Sequence, residues 1–183
     1  MTKDSIKING NYYRNFCDIK EDVYSIIGAN TNIEDMSMIH GDLCFSNILI
    51  DIDNMIIKLV DVRGEFCKKD IFGDIRYDIA KISHSSIGGY ENILFGFYDL
   101  KFIGSDIEFE IHSISNQQRE NHIRLTLALI EELGYDPNLI MLITGLLFIS
   151  MTPLHSEDRD RQLAQYINGV IILNNALDGK YKP

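Results

Sequence analysis

The chain has 183 residues, 45% of them hydrophobic, and a formal net charge of −10 with a pI near 4.8. That length suits one compact domain and is short for two. The acidic balance, with no run of four Lys or Arg, argues against a non-specific nucleic-acid or membrane binder.

Three cysteines, Cys17, Cys44 and Cys67, form no CxxC pair and read as reduced thiols. The longest apolar run, 139–151, falls short of the roughly 20 residues of a spanning helix. The first ten residues hold no apolar signal core. A cytoplasmic protein is therefore expected.

In chain order, "IKINGNYY" predicts a hairpin about Asn9-Gly10, and 15–28 a helix ending at Gly28. A strand enters at Met38 and Ile39, and another leaves at Ile48. "NILIDIDNMIIKLVDV" then gives two β-rich runs around Asp53-Asn54. Residues 76–86 predict a helix stopped by Gly88-Gly89, and 97–112 a hairpin about Gly104-Ser105. Ser115 and Gln118 form a candidate capping box for a helix ending at Gly134. Asp136-Pro137 start a buried helix over 137–151. Pro153 closes it, and Ser156 is the candidate cap of a last helix to about Ala176. Short strands first and helices afterwards make an α+β order. A single domain is expected: a leading hairpin and helix (1–37), a loop and hairpin (38–64) and a mainly helical part (65–183).

The chemistry concentrates in 39–50, "IHGDLCFSNILI", where a polar loop interrupts two apolar strands. Phosphoryl transfer needs a carboxylate to take the proton of the acceptor hydroxyl, and hard oxygen ligands for the Mg²⁺ that bridges the phosphates. Protein kinases supply these from H-R-D-x-x-x-x-N and an Asp after the next hairpin. Here His40-Gly41-Asp42 is followed by Asn47 at the same interval, then a hairpin, then Asp61 in "KLVDVRG". Asp42 can face the acceptor while Asn47 and Asp61 converge on metal.

At these residues the chain resembles the aminoglycoside phosphotransferase and choline kinase group, which uses HGDxxxxN and has a protein-kinase-like fold. "GDIRYDIAKISHS" is similar to the segment that follows in that group. The resemblance implies a kinase-like C-terminal lobe, mainly helical, with short hairpins carrying the catalytic loop. It implies Asp42 as catalytic base, Asn47 and Asp61 as Mg²⁺ ligands, Asp78 as a brace on the loop backbone, and ATP as co-substrate. The acceptor would be a small-molecule hydroxyl on a sugar, aminosugar or amino alcohol. "GDIRYDIAKISHSSIGGY" and "MTPLH" look most like phosphotransferases encoded with capsule or surface-sugar genes. The group's small lobe precedes the catalytic loop, yet residues 1–39 hold no Gly-rich phosphate loop and only Lys3, Lys7, Arg14 and Lys20 as cations. A small lobe supplied in cis or in trans is therefore an expected partner, with no nucleic acid and no membrane.

Each position also has a plainer role. Asp42 would also serve as a turn cap, Asn47 as a loop-bonding amide, and Asp61 alone as a routine strand-end acid. His40 fits a structural loop residue, because Asp42 fills the role of base. Arg63 is a candidate phosphate contact and equally a partner for Glu65. His84 and His155 are candidates for the acceptor pocket, though a satisfied interior histidine explains each as well. "DIDN" at 51–54 matches the DxD nucleophile motif of haloacid-dehalogenase phosphatases only in part, because Met55 stands where Thr or Val belongs. The rival to an enzyme is a truncated kinase-fold module that binds without turnover.

Overall fold

In the computed structural model, residues 5–65, 71–112, 115–155 and 157–182 are described. Strands β1 (Ser5–Ile8) and β2 (Asn11–Arg14) form the first hairpin. Asn9 and Gly10 between them take positive φ values of 49° and 76°, the turn whose twist matches its strands. Helix α1 (Phe16–Ala29) starts at Asn15, whose side chain accepts the Cys17 N–H, and runs past Gly28 to a cap at Asn30. Strand β3 (Met36–Met38) pairs antiparallel not with the next strand but with β6 (Phe72–Asp74). Between them, β4 (Ile48–Asp51) and β5 (Ile56–Leu59) make a separate hairpin. The Asp51 carboxylate accepts the Asn54 N–H and side-chain amide, so "DIDN" is a turn that caps itself.

Helix α2 (Ile75–Ser86) leads through Gly89, at φ 66°, into the short α3 (Tyr90–Leu94). Strands β7 (Tyr98–Ile103) and β8 (Asp106–Ile111) form the third hairpin. Three helices finish the chain: α4 (Asn116–Glu132), α5 (Pro137–Met151) and α6 (Arg159–Leu177). Ser115 caps α4 by accepting the Gln118 N–H, and Asp136 caps α5 by accepting that of Asn138. Asp158, accepting from Arg161, caps α6; Ser156, like Cys67, lies outside the described residues.

The fold is mixed α+β, and its largest sheet was not foreseen. β1 pairs parallel with β8, giving the order β2-β1-β8-β7. Asn9 fastens this join: its amide donates to the Phe109 carbonyl at 2.8 Å and accepts the Phe109 N–H at 2.9 Å. The leading hairpin thus joins the hairpin predicted over 97–112, across the expected boundary between 1–37 and the later, mainly helical part.

The core lies where α2, α5 and α6 meet, with Ala80, Ile140, Met141, Phe148, Val170 and Leu173 fully buried. α5 and α6 approach closely at two glycines. A Cβ on Gly145 would lie 2.6 Å from Leu173 Cγ, and one on Gly169 2.9 Å from Ile149 Cδ1. The span Pro137–His155 is long and apolar enough to cross a membrane by length and composition. Here its middle forms the centre of the core, as in the buried helix of a globular protein.

The β4–β5 hairpin is bare. Leu49, Ile50, Ile56, Ile57 and Leu59 of the β4–β5 hairpin are 45–67% exposed. The register puts Ile50, Ile57 and Leu59 on one face of the hairpin and Leu49 and Ile56 on the other, and Met36, Met38 and Phe72 of the β3–β6 ribbon are exposed as well.

Candidate functional site

The loop 39–47 is set by hydrogen bonds to its backbone. Asp78, in the first turn of α2 and 4% exposed, accepts the His40 N–H at 2.6 Å and the Gly41 N–H at 2.9 Å. One carboxylate therefore satisfies two donors that the bend would otherwise leave without partners. The buried His40 ring takes the tautomer with its proton on Nε2, donating to the Val60 carbonyl at 3.0 Å. Its Nδ1 accepts the Asp42 N–H at 3.3 Å. His40 thus joins the loop to the chain leaving β5. Gly41 sits at φ 79°, and a Cβ there would lie 2.9 Å from Arg63 Cβ, so the position needs glycine. The Arg63 N–H closes the crossing by donating to the His40 carbonyl at 3.0 Å.

Asp42 emerges partly exposed from this frame. Its Oδ1 meets the Lys81 ammonium at 2.6 Å, and its Oδ2 the Asn47 amide nitrogen at 3.3 Å. The same Asn47 nitrogen donates to the Asp42 carbonyl at 2.8 Å, which makes the loop a closed ring. With its nitrogen so engaged, the Asn47 oxygen is left for another partner. The Val60 N–H donates to the Asn47 carbonyl at 3.0 Å, so the hairpin returns Asp61 beside Asn47. Asp61 is exposed and sits at φ 58°, an uncommon backbone for a non-glycine residue. Among the described residues no group of three or more His, Cys, Asp or Glu side chains forms a metal cluster. An amide oxygen and one carboxylate are nevertheless the donor types that suit Mg²⁺ when phosphates complete its shell.

The remaining candidates separate. Arg63 lays its stem over Gly41, and its side chain is exposed. His84 is fully buried between Tyr90, with ring centroids 4.4 Å apart, and Phe148, at 4.0 Å. Neither of its ring nitrogens has a hydrogen-bond partner, so it is an interior histidine but not a satisfied one. Burial, and then the Lys81 charge, hold its imidazole well below the ordinary range. His155 is farther along, with Nδ1 3.4 Å from Glu157, which also pairs with Arg161.

Sequence reasoning missed Lys81, Ser85, Tyr90 and Glu91. Lys81 is 3% exposed and lies 5.7 Å from the Tyr90 ring centroid. Burial, followed by the nearby Cys44, Asp42 and Glu91, pushes the Tyr90 hydroxyl up to about 12. The Phe45 N–H donates to both Ser85 Oγ and Glu91 Oε1 at 3.1 Å. A signal was present: Asp78, Lys81 and Ser85 stand at i, i+3 and i+7, one face of a helix. That face grips the loop in turn at His40-Gly41, at Asp42 and at Phe45.

What the fold and site define is an α+β protein with a braced acidic loop. Comparison with family models, with curated proteins and with solved structures returned no match.

Proposed function

We infer that the chain is the C-terminal lobe of a small-molecule phosphotransferase that moves the γ-phosphoryl group of ATP to an acceptor hydroxyl. The observation that carries this is the closed loop: Asp42 bonded to Asn47, braced by Asp78, with Asp61 returned beside Asn47 by the hairpin. In this function Asp42 accepts the proton of the attacking hydroxyl, and the Asn47 oxygen with the Asp61 carboxylate holds Mg²⁺. When bound, the metal neutralises charge on the phosphates. Lys81 and Asn47 keep the Asp42 carboxylate oriented, while Asp78 and His40 fix the backbone beneath it. The acceptor is a sugar, aminosugar or amino alcohol.

A partner lobe belongs to this function, in cis or in trans, and two features support it. The β4–β5 hairpin, which follows the loop directly, leaves apolar side chains exposed on both of its faces. The cations described ahead of the loop are already engaged: Lys7 with Asp106, Arg14 with Asp178 and Lys20 with Glu21. None is offered to a nucleotide, so residues 1–183 alone should bind ATP weakly and turn over negligibly. The same feature favours the second function, a kinase-fold module that binds without catalysis.

An ADP-release assay with candidate sugars and amino alcohols, run with and without an added lobe, tests the transferase. Turnover should appear only with the lobe, and Asp42→Asn should reduce kcat by about 10²-fold or more with little change in nucleotide affinity. Retention of most of the turnover in Asp42→Asn would exclude the base. Absence of turnover in every combination would favour the binding module.

A further inference from the structure

Beside the catalytic loop lies a cleft of about 220 Å³. Phe45 of the loop, Ser85 at the end of α2, Glu91 and Asn92 of α3, and Arg119 and His122 of α4 line it. We propose that this cleft is the acceptor site and that it takes a neutral sugar ring, with Phe45 as the stacking surface. The assignment rests on the phosphotransferase function only for its last step, the approach of a sugar hydroxyl to Asp42.

The first support is the exposed aromatic ring. Phe45 is 46% exposed, although it sits in a short turn of the loop. Its backbone is also held in place, since its N–H is bonded to Ser85 and Glu91, and Ser85 Oγ donates to the same Glu91 oxygen at 2.8 Å. An exposed aromatic face on an anchored backbone, with polar groups around it, suits a ring that is apolar on its C–H face and polar at its edge.

The second support is the charge of the walls. Glu91 brings a carboxylate, while Arg119 and His122 stand on the α4 side. Arg119 gives one N–H to the Ile111 carbonyl at 3.2 Å and has further donors in its fork. Mixed signs give a cationic amino alcohol no advantage. Hydroxyls, each both donor and acceptor, match both walls.

The third support is distance along α2. Lys81 holds Asp42, and Ser85 holds Phe45. These anchors are four residues apart on one helical face, about 6 Å of rise. One sugar ring with its hydroxyls covers that span.

Saturation-transfer NMR on the full chain, without nucleotide, tests this with glucose, galactose, mannose and choline at equal concentration. At least one hexose should give a signal and choline none. Phe45→Ala and, separately, Arg119→Gln should each weaken the hexose signal about fivefold or more while leaving the melting temperature unchanged. A hexose signal untouched by both variants would overturn the site, and so would choline binding in place of hexoses. The two levels fail separately. Hexose binding lost in Phe45→Ala, with no transfer under any condition, would uphold the cleft and remove the transferase. Transfer to choline with no hexose binding would keep the transferase and remove the cleft.

Discussion

Asp42 and Lys81 carry the most consequential contact at the scale of single residues. The ammonium is almost fully enclosed, and its partner at 2.6 Å is the candidate base. A buried charge that loses its partner costs about 3–5 kcal/mol, and the partial exposure of Asp42 reduces that figure here. Asp42→Ala should therefore destabilise the fold by roughly 2–3 kcal/mol. Adding Lys81→Met should recover at least half of the loss, because the orphaned charge is then gone. Urea unfolding of the two single variants and the double variant measures this coupling. Additive losses would show that the pair contributes no stability. Asp42→Asn, which keeps the shape and one of the two acceptor oxygens facing Lys81 and Asn47, is the milder substitution for reading catalysis.

At the scale of elements, His84 is the place where α2, α3 and α5 press together. Its ring is stacked on Tyr90 of α3 and tilted against Phe148 of α5, with no polar partner. Burial holds its imidazole well below the ordinary histidine value of about 6.5, so the folded state keeps it neutral where the unfolded chain would protonate it. The unfolded state then binds more protons, and stability falls as pH drops below about 6.5 toward the native value. The slope from one such group is at most about 1.4 kcal/mol per pH unit. His84→Phe, which retains the stacking, should remove this component. Between pH 7.5 and 5.5 the wild type should lose roughly 1 kcal/mol more than the variant, read by urea midpoints. Equal losses would mean that the ring titrates normally or has found a partner.

For the whole molecule, the core and the exposed hairpin divide the work. Helices α2, α5 and α6 form the centre of the hydrophobic core, and the β4–β5 hairpin beside the Asp42 loop leaves apolar side chains exposed. A chain of net charge −10 repels a polyphosphate unless a cation intervenes. Divalent metal should therefore precede or accompany nucleotide. Titrating Mn²⁺ with ADP should broaden the NMR signals of Asn47 and Asp61 together. Asn47→Ala with Asp61→Ala should abolish that broadening without lowering the melting temperature by more than a few degrees. Unchanged broadening in the double variant would place the metal elsewhere.

Much of this protein was legible from local chemistry. Asn9-Gly10 dictates a tight hairpin, Asp136-Pro137 a helix start, and Ser115 with Gln118 a cap. Each acts within a few residues, so the chain carries the instruction in one place. The spacing of Asp42, Asn47 and Asp61 was readable for the same reason, since a loop and one hairpin join all three. The boundary of α1 was harder, because Gly28 continues a helix that burial of Ile19 and Val23 already favours. The parallel join of β1 to β8, the Lys81–Asp42 pair and the cleft behind Phe45 were decided only in the tertiary structure. Alternating apolar residues say that a strand has a buried face, but not which distant strand will lie beside it. A lysine on a helix reads as a solvent-facing charge until the fold closes over it and leaves one carboxylate within reach.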